Sequence, residues 1–306
     1  MLKLNEKIKN QGTAVALGYF DGIHMGHSAV LMTALSKAKE KGLVPLVMLF
    51  DIHPRKLISG CVPPMLTSEQ GKREILEEMG FSVVDFNFRK AMNYSPEEFV
   101  SRVLVDELNA KFVCCGYDYR YGKGGRGNAE TLHSELSSMG IESVSVEPVL
   151  LGGEVVSSTK IRQLIKDGEI EKANTMLGKA FSYDFTVERG DGLGHGLGFP
   201  TINQYFPPDF IVPKYGVYLS RATIGGKSYI SVTNVGVRPT VNKDSMRSET
   251  CILDFSGDLY GQRVEVSLLK YIRSEIKFSS LDELKNQISK DIKQARLMYN
   301  EVVKNG

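Results

Sequence analysis

Residues 14–28, AVALGYFDGIHMGHS, place His24 and His27 three positions apart around Gly26, in a chain that has only five histidines. The stretch follows a short apolar run. It precedes a segment, Ser28 to Lys41, in which Val30, Leu31, Ala34, Leu35 and Ala38 recur at helical spacing and Gly42 stands at the C-cap position. Imidazoles at a strand-to-helix turn can donate hydrogen bonds to phosphate oxygens, beside the positive end of the helix and among glycines that let the backbone come close. Gly18, Phe20, Asp21, Gly22 and Gly26 complete the loop. Such groups stabilise charge that builds up at a phosphorus under attack. A capping histidine with a second one on the surface is the plain alternative. A metal centre is disfavoured, because no third ligand stands nearby at a recognised spacing.

Other segments carry similar chemistry. Ser157, Ser158 and Thr159 precede Lys160-Ile161-Arg162 at a helix start. Hydroxyls with a guanidinium suit a triphosphate, although an ordinary N-cap would use the same hydroxyls. Glycine occupies every second position from Gly190 to Gly198, but no lysine follows in G-K-S/T order, so this is not a P-loop. GKGGRG (Gly122 to Gly127) formally fits G-x-G-x-x-G. It follows a late strand and holds Lys123 and Arg126, so it reads as a flexible loop covering substrate rather than as a dinucleotide fingerprint. Asp118 and Arg120, taken alone, are turn and surface residues.

The elements that must position these groups divide the 306 residues into two textures. In the first half apolar strands alternate with helical patterns: Ala14 to Leu17, Leu43 to Phe50, Ser82 to Phe86, Phe112 to Cys115 and Ser143 to Val149 are strands. Glu69 to Met79, Pro96 to Leu108 and Ala129 to Met139 are helices. That alternation predicts a doubly wound, Rossmann-like parallel sheet. After about Ala180 come short β-rich runs separated by turns such as Gly225-Gly226, the pattern of a small antiparallel barrel. A terminal amphipathic helix follows, with a Ser280/Glu283 capping box and a stripe of Leu281, Leu284, Ile288 and Ile292. The expected domains are 1–180 and 181–306.

Lys and Arg number 38 against 36 Asp and Glu, a balance that predicts neither a nucleic-acid nor a membrane partner. The longest apolar stretch, Leu43 to Phe50, is far short of the roughly 20 residues a membrane span needs. The N-terminus lacks the apolar segment of a signal peptide. The four cysteines show no CxxC spacing, as expected of reduced thiols in the core of a cytoplasmic protein.

VALGYFDGIHMGH, FDIHP (Phe50 to Pro54), CCGYDYRYGKGGRGN (Cys114 to Asn128) and SSTKIR (Ser157 to Arg162) occur in order. They resemble the motifs of the bacterial bifunctional riboflavin kinase/FMN adenylyltransferases, the prokaryotic FAD synthetases. FPTIN (Phe199 to Asn203), NVGVRPT (Asn234 to Thr240), SETCILDF (Ser248 to Phe255), DLYGQ (Asp258 to Gln262) and RSEIKF (Arg273 to Phe278) resemble the kinase half of that family.

The resemblance implies small-molecule substrates, namely riboflavin, FMN and ATP with Mg²⁺, and FAD as product. It makes His24 and His27 catalytic in adenylyl transfer. Gly18, Phe20, Asp21, Gly22, Gly26, Ser157, Ser158, Thr159 and Arg162 would bind ATP there, and Asp118, Arg120 and Asn128 the flavin. In the second half it puts Gly194, Gly198 and Pro200 around ATP, Thr201 and Asn203 on Mg²⁺, Arg238 on flavin, and Glu249 as the base that takes the ribityl hydroxyl proton. Tyr19, Ile52, His195 and Ile202 depart from the family's pattern. A chain with one active site, most simply the kinase, or a non-catalytic flavin-binding regulator are the rivals. A monomer or weak homo-oligomer is expected.

Overall fold

The computed structural model describes residues 10–51, 60, 62–190, 193–238 and 245–305. Ile52, and the side chains of His195 and Arg238, lie outside what is described. Packing separates Met1–Pro63 with Glu69–Ser157 from Pro64–Ser68 with Ser158–Gly306.

In the first unit, strands β1 (Thr13–Leu17), β2 (Val44–Phe50), β3 (Ser82–Phe86), β4 (Ala110–Gly116) and β5 (Glu142–Val146) form one sheet in the order β3-β2-β1-β4-β5. Every pairing in it is parallel. Helices α1 (Met25–Lys41), α2 (Glu69–Glu78) and α3 (Ala129–Ser138) lie in the connections, and Phe99–Glu107 forms a π-helix where an ordinary helix is predicted. The unbroken apolar runs have a simple cause. Val15 and Leu17 of β1, with Leu46 and Met48 of β2, join one core cluster. Ala14, Ala16, Val47 and Leu49 join the cluster that contains Val30, Leu31 and Ala34 of α1 on the other face. Both faces are covered, so no polar residue alternates. Gly42 closes α1 in a left-handed conformation with φ 66°.

The second unit begins with α4 (Ser158–Asp167) and α5 (Ile170–Leu177). Strands β8 (Phe181–Tyr183), β9 (Thr201–Tyr205), β10 (Gly216–Ile224), β11 (Lys227–Arg238), β12 (Ser245–Ile252) and β13 (Glu265–Arg273) are ordered β8-β13-β10-β11-β12-β9. The short hairpin β6 (Leu150–Leu151) and β7 (Glu154–Val155) precedes them in the first unit. Chain 181–188 closes the six strands into a barrel. It pairs with β13, bridges Thr186 to Arg263, then bridges Glu188 to Asn203 of β9.

The barrel interior is hydroxylic. Ser231, Ser220, Thr233 and Thr250 are linked at 2.8, 2.7 and 2.8 Å and are fully buried. Each hydroxyl can both give and accept a hydrogen bond, so the chain satisfies itself. The opposite face of β10 and β11, with Val217, Leu219 and Val232, packs on Ala295, Ile292 and Met298 of α6 (Leu281–Asn305).

Two details of α6 differ from expectation. Leu281 is 57% exposed rather than part of the stripe. Ser280 Oγ does accept from the Glu283 N–H, but the Glu283 carboxylate returns to Ser279, one residue earlier than a capping box requires. Asp291 fixes the helix instead. It is 3% exposed, accepts from Arg273 Nε at 3.0 Å and Nη2 at 2.6 Å, and from Gln287 Nε2 at 2.8 Å. Asp291→Ala strands a partly buried guanidinium and is expected to destabilise the barrel unit by about 2 kcal/mol. Chemical denaturation of the variant beside the parent measures it.

Candidate active sites

In the order β3-β2-β1-β4-β5 the strand progression reverses between β1 and β4, and ligands sit outside the carboxyl ends of strands at such a point. The loop from Gly18 to His24 leaves β1 there. Gly18 is required by crowding, because a Cβ would stand 2.9 Å from the Phe20 ring. Phe20 at φ 54° and Ile23 at φ 43° hold left-handed backbones, unusual for large side chains, and burial at 1% and 4% exposure holds them there. Asp21 is buried with them.

His24 is the N-cap of α1, and its Nδ1 accepts the His27 N–H at 3.3 Å. In the neutral ring that bond places the proton on Nε2. The two imidazoles stack with centroids 3.7 Å apart and planes 15° from parallel, and Phe20 closes edge-on against His27 at 5.5 Å. Gly26 lies under the stack, where a Cβ would come 3.2 Å from His24 Cε1 and Nδ1. Capping thus fixes the ring on which His27 stacks.

Sequence reasoning missed a neighbour of this loop. Lys72 of α2 is 2% exposed, donates to the Tyr19 carbonyl at 3.4 Å, pairs with Glu69 at 2.9 Å and lies 4.1 Å over the Tyr19 ring. The Tyr19 hydroxyl donates to Glu69 at 2.9 Å. Tyr19, a departure from the family's pattern, is therefore part of a clamp on the loop. Glu69 and Lys72, three apart on one helix, look in the sequence like an ordinary surface pair.

At the ends of β4 and β5 a cavity of about 710 Å³ is lined by Cys115, Arg120, Asn128, Leu132, His133 and Ser145, among others. Arg120 and Asn128 of the expected flavin set reach it; Asp118 is exposed on the same loop. Asn128 also caps α3, accepting from Thr131 N–H at 2.9 Å. The loop from 117 to 128 is less free than its glycines suggest. Tyr121 is 5% exposed, donates to Glu135 at 3.2 Å and pairs in a β-bridge with Gly127, whose missing side chain makes room for the tyrosine ring. Burial pushes the Cys115 thiol up to about 11, which keeps it protonated and unreactive.

Of the serine-rich motif, Ser157 falls in the first unit, while Ser158, Thr159 and Arg162 belong to α4 of the second. Arg162 Nε donates to the Pro64 carbonyl at 2.7 Å.

The barrel unit contains a second cavity, about 220 Å³, between one face of the sheet and α6. Strand register builds its wall. Glu249 of β12 lies opposite Asn203 of β9 on one side and Asn234 of β11 on the other. Thr201 pairs with Cys251 in the next row, and the period of two puts Arg247, Glu249 and Cys251 on the same face. Gly194, Phe199, Leu284, Ile288, Arg273 and Asp291 complete the lining. Gly198 and Pro200 flank Phe199 in the same loop, outside this lining.

Asn203 is 5% exposed and its Oδ1 has no hydrogen-bond partner. Gly190 is cut to fit its amide, since any Cβ there would strike it; a Cβ on Gly194 would meet the Phe199 carbonyl at 2.5 Å and Thr201 Oγ1 at 3.2 Å. Arg247 Nη2 pairs with Glu249 Oε1 at 2.6 Å. Burial pushes the Cys251 thiol up to about 11, so it lines the wall as a neutral group.

Stacked imidazoles at a helix N-terminus in one unit, and a carboxylate between two amides in the other, define a two-domain transferase that handles phosphate groups. The FAD synthetase family model matches residues 6–160 and the riboflavin kinase family model residues 177–299. The bifunctional riboflavin kinase/FMN adenylyltransferase of Escherichia coli K12 is 36% identical over 94% of this chain and 93% of its own length. That of Bacillus subtilis is 35% identical over 94% and 92%. A crystal structure described as a macrolide-efflux protein from Streptococcus pneumoniae superposes with TM-score 0.83 at 30% identity, covering 94% of this chain and 96% of that one. The chain belongs to the bifunctional riboflavin kinase/FMN adenylyltransferase family. Among the described residues no helix is long and apolar enough to cross a membrane.

Replacing Lys72 by Met removes the clamp on Tyr19 while keeping most of its volume. Loss of one charge-assisted hydrogen bond and one cation–π contact is worth about 1–2 kcal/mol, so the amides of residues 18–24 should exchange roughly 5–30 times faster than in the parent. Hydrogen-exchange mass spectrometry checks this.

Proposed function

We propose that the chain makes FAD from riboflavin in two ATP-dependent steps, residues 181–306 phosphorylating riboflavin and residues 1–180 joining FMN to AMP. The observation that carries this reading is that the chain matches the FAD synthetase family model over residues 6–160 and the riboflavin kinase family model over residues 177–299.

In the barrel, the terminal ribityl hydroxyl attacks the γ-phosphorus of ATP. The oxygen–phosphorus bond to ADP breaks with its electron pair on ADP, and the hydroxyl proton passes to the Glu249 carboxylate. The row Asn203–Glu249–Asn234 supports this role, because strand register sets the carboxylate between two amide side chains in the cavity wall. The orphaned Asn203 Oδ1 and the Thr201 hydroxyl are hard oxygen donors that suit Mg²⁺, which when bound neutralises charge on the triphosphate. The apolar side of the cavity, with Leu284 and Ile288, suits the flavin ring.

In the parallel-sheet unit, a phosphate oxygen of FMN attacks the α-phosphorus of a second ATP. The bond to the leaving pyrophosphate breaks, and its electron pair leaves with pyrophosphate. His24 Nε2–H and His27 donate to the phosphate oxygens, in the field of the α1 N-terminus. The cavity with Arg120 and Asn128 takes the flavin of FMN. Cys114, Cys115 and Cys251 are buried thiols outside any disulfide, which fits a reducing, cytoplasmic setting.

Chromatography of FMN and FAD formed from riboflavin or FMN with ATP and Mg²⁺ tests the division of labour. His27→Ala should lower FAD formation from FMN by at least about 10²-fold and leave FMN formation intact. Glu249→Gln should lower FMN formation by about 10²-fold or more and leave FMN-to-FAD conversion intact. Equal loss of both activities in either folded variant rejects the assignment. Flavin binding without turnover in the parent protein would make the chain a regulator.

A further inference from the structure

We propose that Arg247 is the cation that receives the γ-phosphoryl group in the barrel site, and that its ion pair with Glu249 exchanges for that group when ATP enters. The proposal rests on the kinase reading above and adds a residue to it. A transferring phosphoryl group spreads negative charge over three oxygens, and a phosphoryl-transfer site needs fixed positive charge to meet it. Among the described residues, the lining of the barrel cavity holds two guanidinium groups, from Arg247 and Arg273, and no lysine. Arg273 is committed to structure: its Nε and Nη2 are bound to the buried Asp291 carboxylate, and its Nη1 donates to the Ser274 carbonyl at 2.9 Å. Withdrawing it would unfasten α6. Arg247 is differently placed. It stands two residues before Glu249 on the same face of β12, with its side chain 14% exposed, and it is ion-paired with the carboxylate that must accept the substrate proton.

The pairing has a chemical consequence. A carboxylate oxygen that accepts a guanidinium N–H at 2.6 Å is occupied, and two charges at that separation hold one another. Entry of the triphosphate offers Arg247 a more highly charged, bidentate partner. When the guanidinium turns to the γ-phosphoryl oxygens, the Glu249 oxygen is released toward the ribityl hydroxyl. The transfer is then balanced as before: the hydroxyl oxygen bonds to the γ-phosphorus, the bond to ADP breaks with its electron pair on ADP, and Glu249 keeps the proton. With no triphosphate present the base stays paired, so Arg247 ties the base's availability to occupation of the nucleotide site.

The test follows FMN formation from riboflavin, which reports the barrel site alone, in the full-length parent, Arg247→Met and Arg247→Lys. Inhibition is measured with ADP and with the non-hydrolysable β,γ-imido analogue of ATP. In Arg247→Met, kcat is expected to fall at least 10²-fold and the inhibition constant of the imido analogue to rise at least tenfold, while that of ADP stays within twofold. Arg247→Lys should recover a tenth or more of the lost kcat. An unchanged kcat, or equal shifts for ADP and the imido analogue, overturns the proposal. Should the methionine variant not fold, the lysine variant carries the same comparison: its single point charge should weaken the imido analogue selectively, and equal weakening of both nucleotides overturns the assignment. If the parent makes no FMN, the kinase reading fails before Arg247 is reached.

Discussion

The antiparallel register of β12 between β9 and β11 is the constraint on which the barrel site depends. Side chains alternate across a strand, so a slip of one residue would turn Glu249 into the barrel and Thr250 out to the cavity. The interior leaves no room for that error. Thr250 closes a chain of buried hydroxyls through Thr233, Ser220 and Ser231, and a carboxylate in its place would break the link to Thr233 and bury a charge beside it. The polar ladder inside the barrel and the reactive row outside it are therefore two faces of one alignment. The residues that specify the fold also turn Glu249 toward the cavity.

A comparable economy governs the parallel sheet. Ala14 and Ala16 of β1 are small where α1 crosses, while Val15 and Leu17 fill the other face. The helix is thereby seated closely on the strand, and its first turn meets the loop with little slack. Within that loop Phe20 and Ile23 accept left-handed backbones, each costing of order 1–3 kcal/mol, for which burial of both side chains compensates. The strained turn brings His24 to the N-cap and His27 beneath it. Lys72 and Tyr19 fasten the outer edge of the same turn. Strain within the turn and the clamp at its edge thus act on the same few residues.

The alternation of strands and helices is legible in the sequence because β1 and β2 bury both faces, so their runs of apolar residues are short and bounded by glycine or proline. The barrel strands are legible from their turns. The histidine pair, Thr201, Asn203 and Glu249 stand out because each lies within an ordered motif. What escapes is long-range pairing. Lys72 and Asp291 are ordinary helix residues until α2 meets Tyr19 and α6 meets Arg273. The π-helix at Phe99–Glu107 leaves no periodic trace distinct from an α-helix over so few turns. Arg247 is the exception that a closer look at strand period recovers: two positions before Glu249, it had to share that residue's face. The Tyr121 anchor under the glycine loop was hidden for a related reason, since glycines signal freedom locally whereas Gly127 serves to admit a buried ring.

The two sites differ in residue type because their nucleophiles differ in protonation. An alcohol attacking a γ-phosphoryl group carries a proton that must leave as the bond forms, so its site needs a carboxylate, and a carboxylate near a triphosphate in turn needs a cation to keep the approach of negative charge tolerable. On the proposed reading, Glu249 and the Arg247 paired with it meet these two demands. A phosphate monoester attacking an α-phosphoryl group is already ionised at neutral pH. It has no proton to surrender, and a carboxylate would only repel it. What it requires is neutral or positive hydrogen-bond donors, close packed and fixed before the anions arrive, and a helix N-terminus with two stacked imidazoles supplies them without a base.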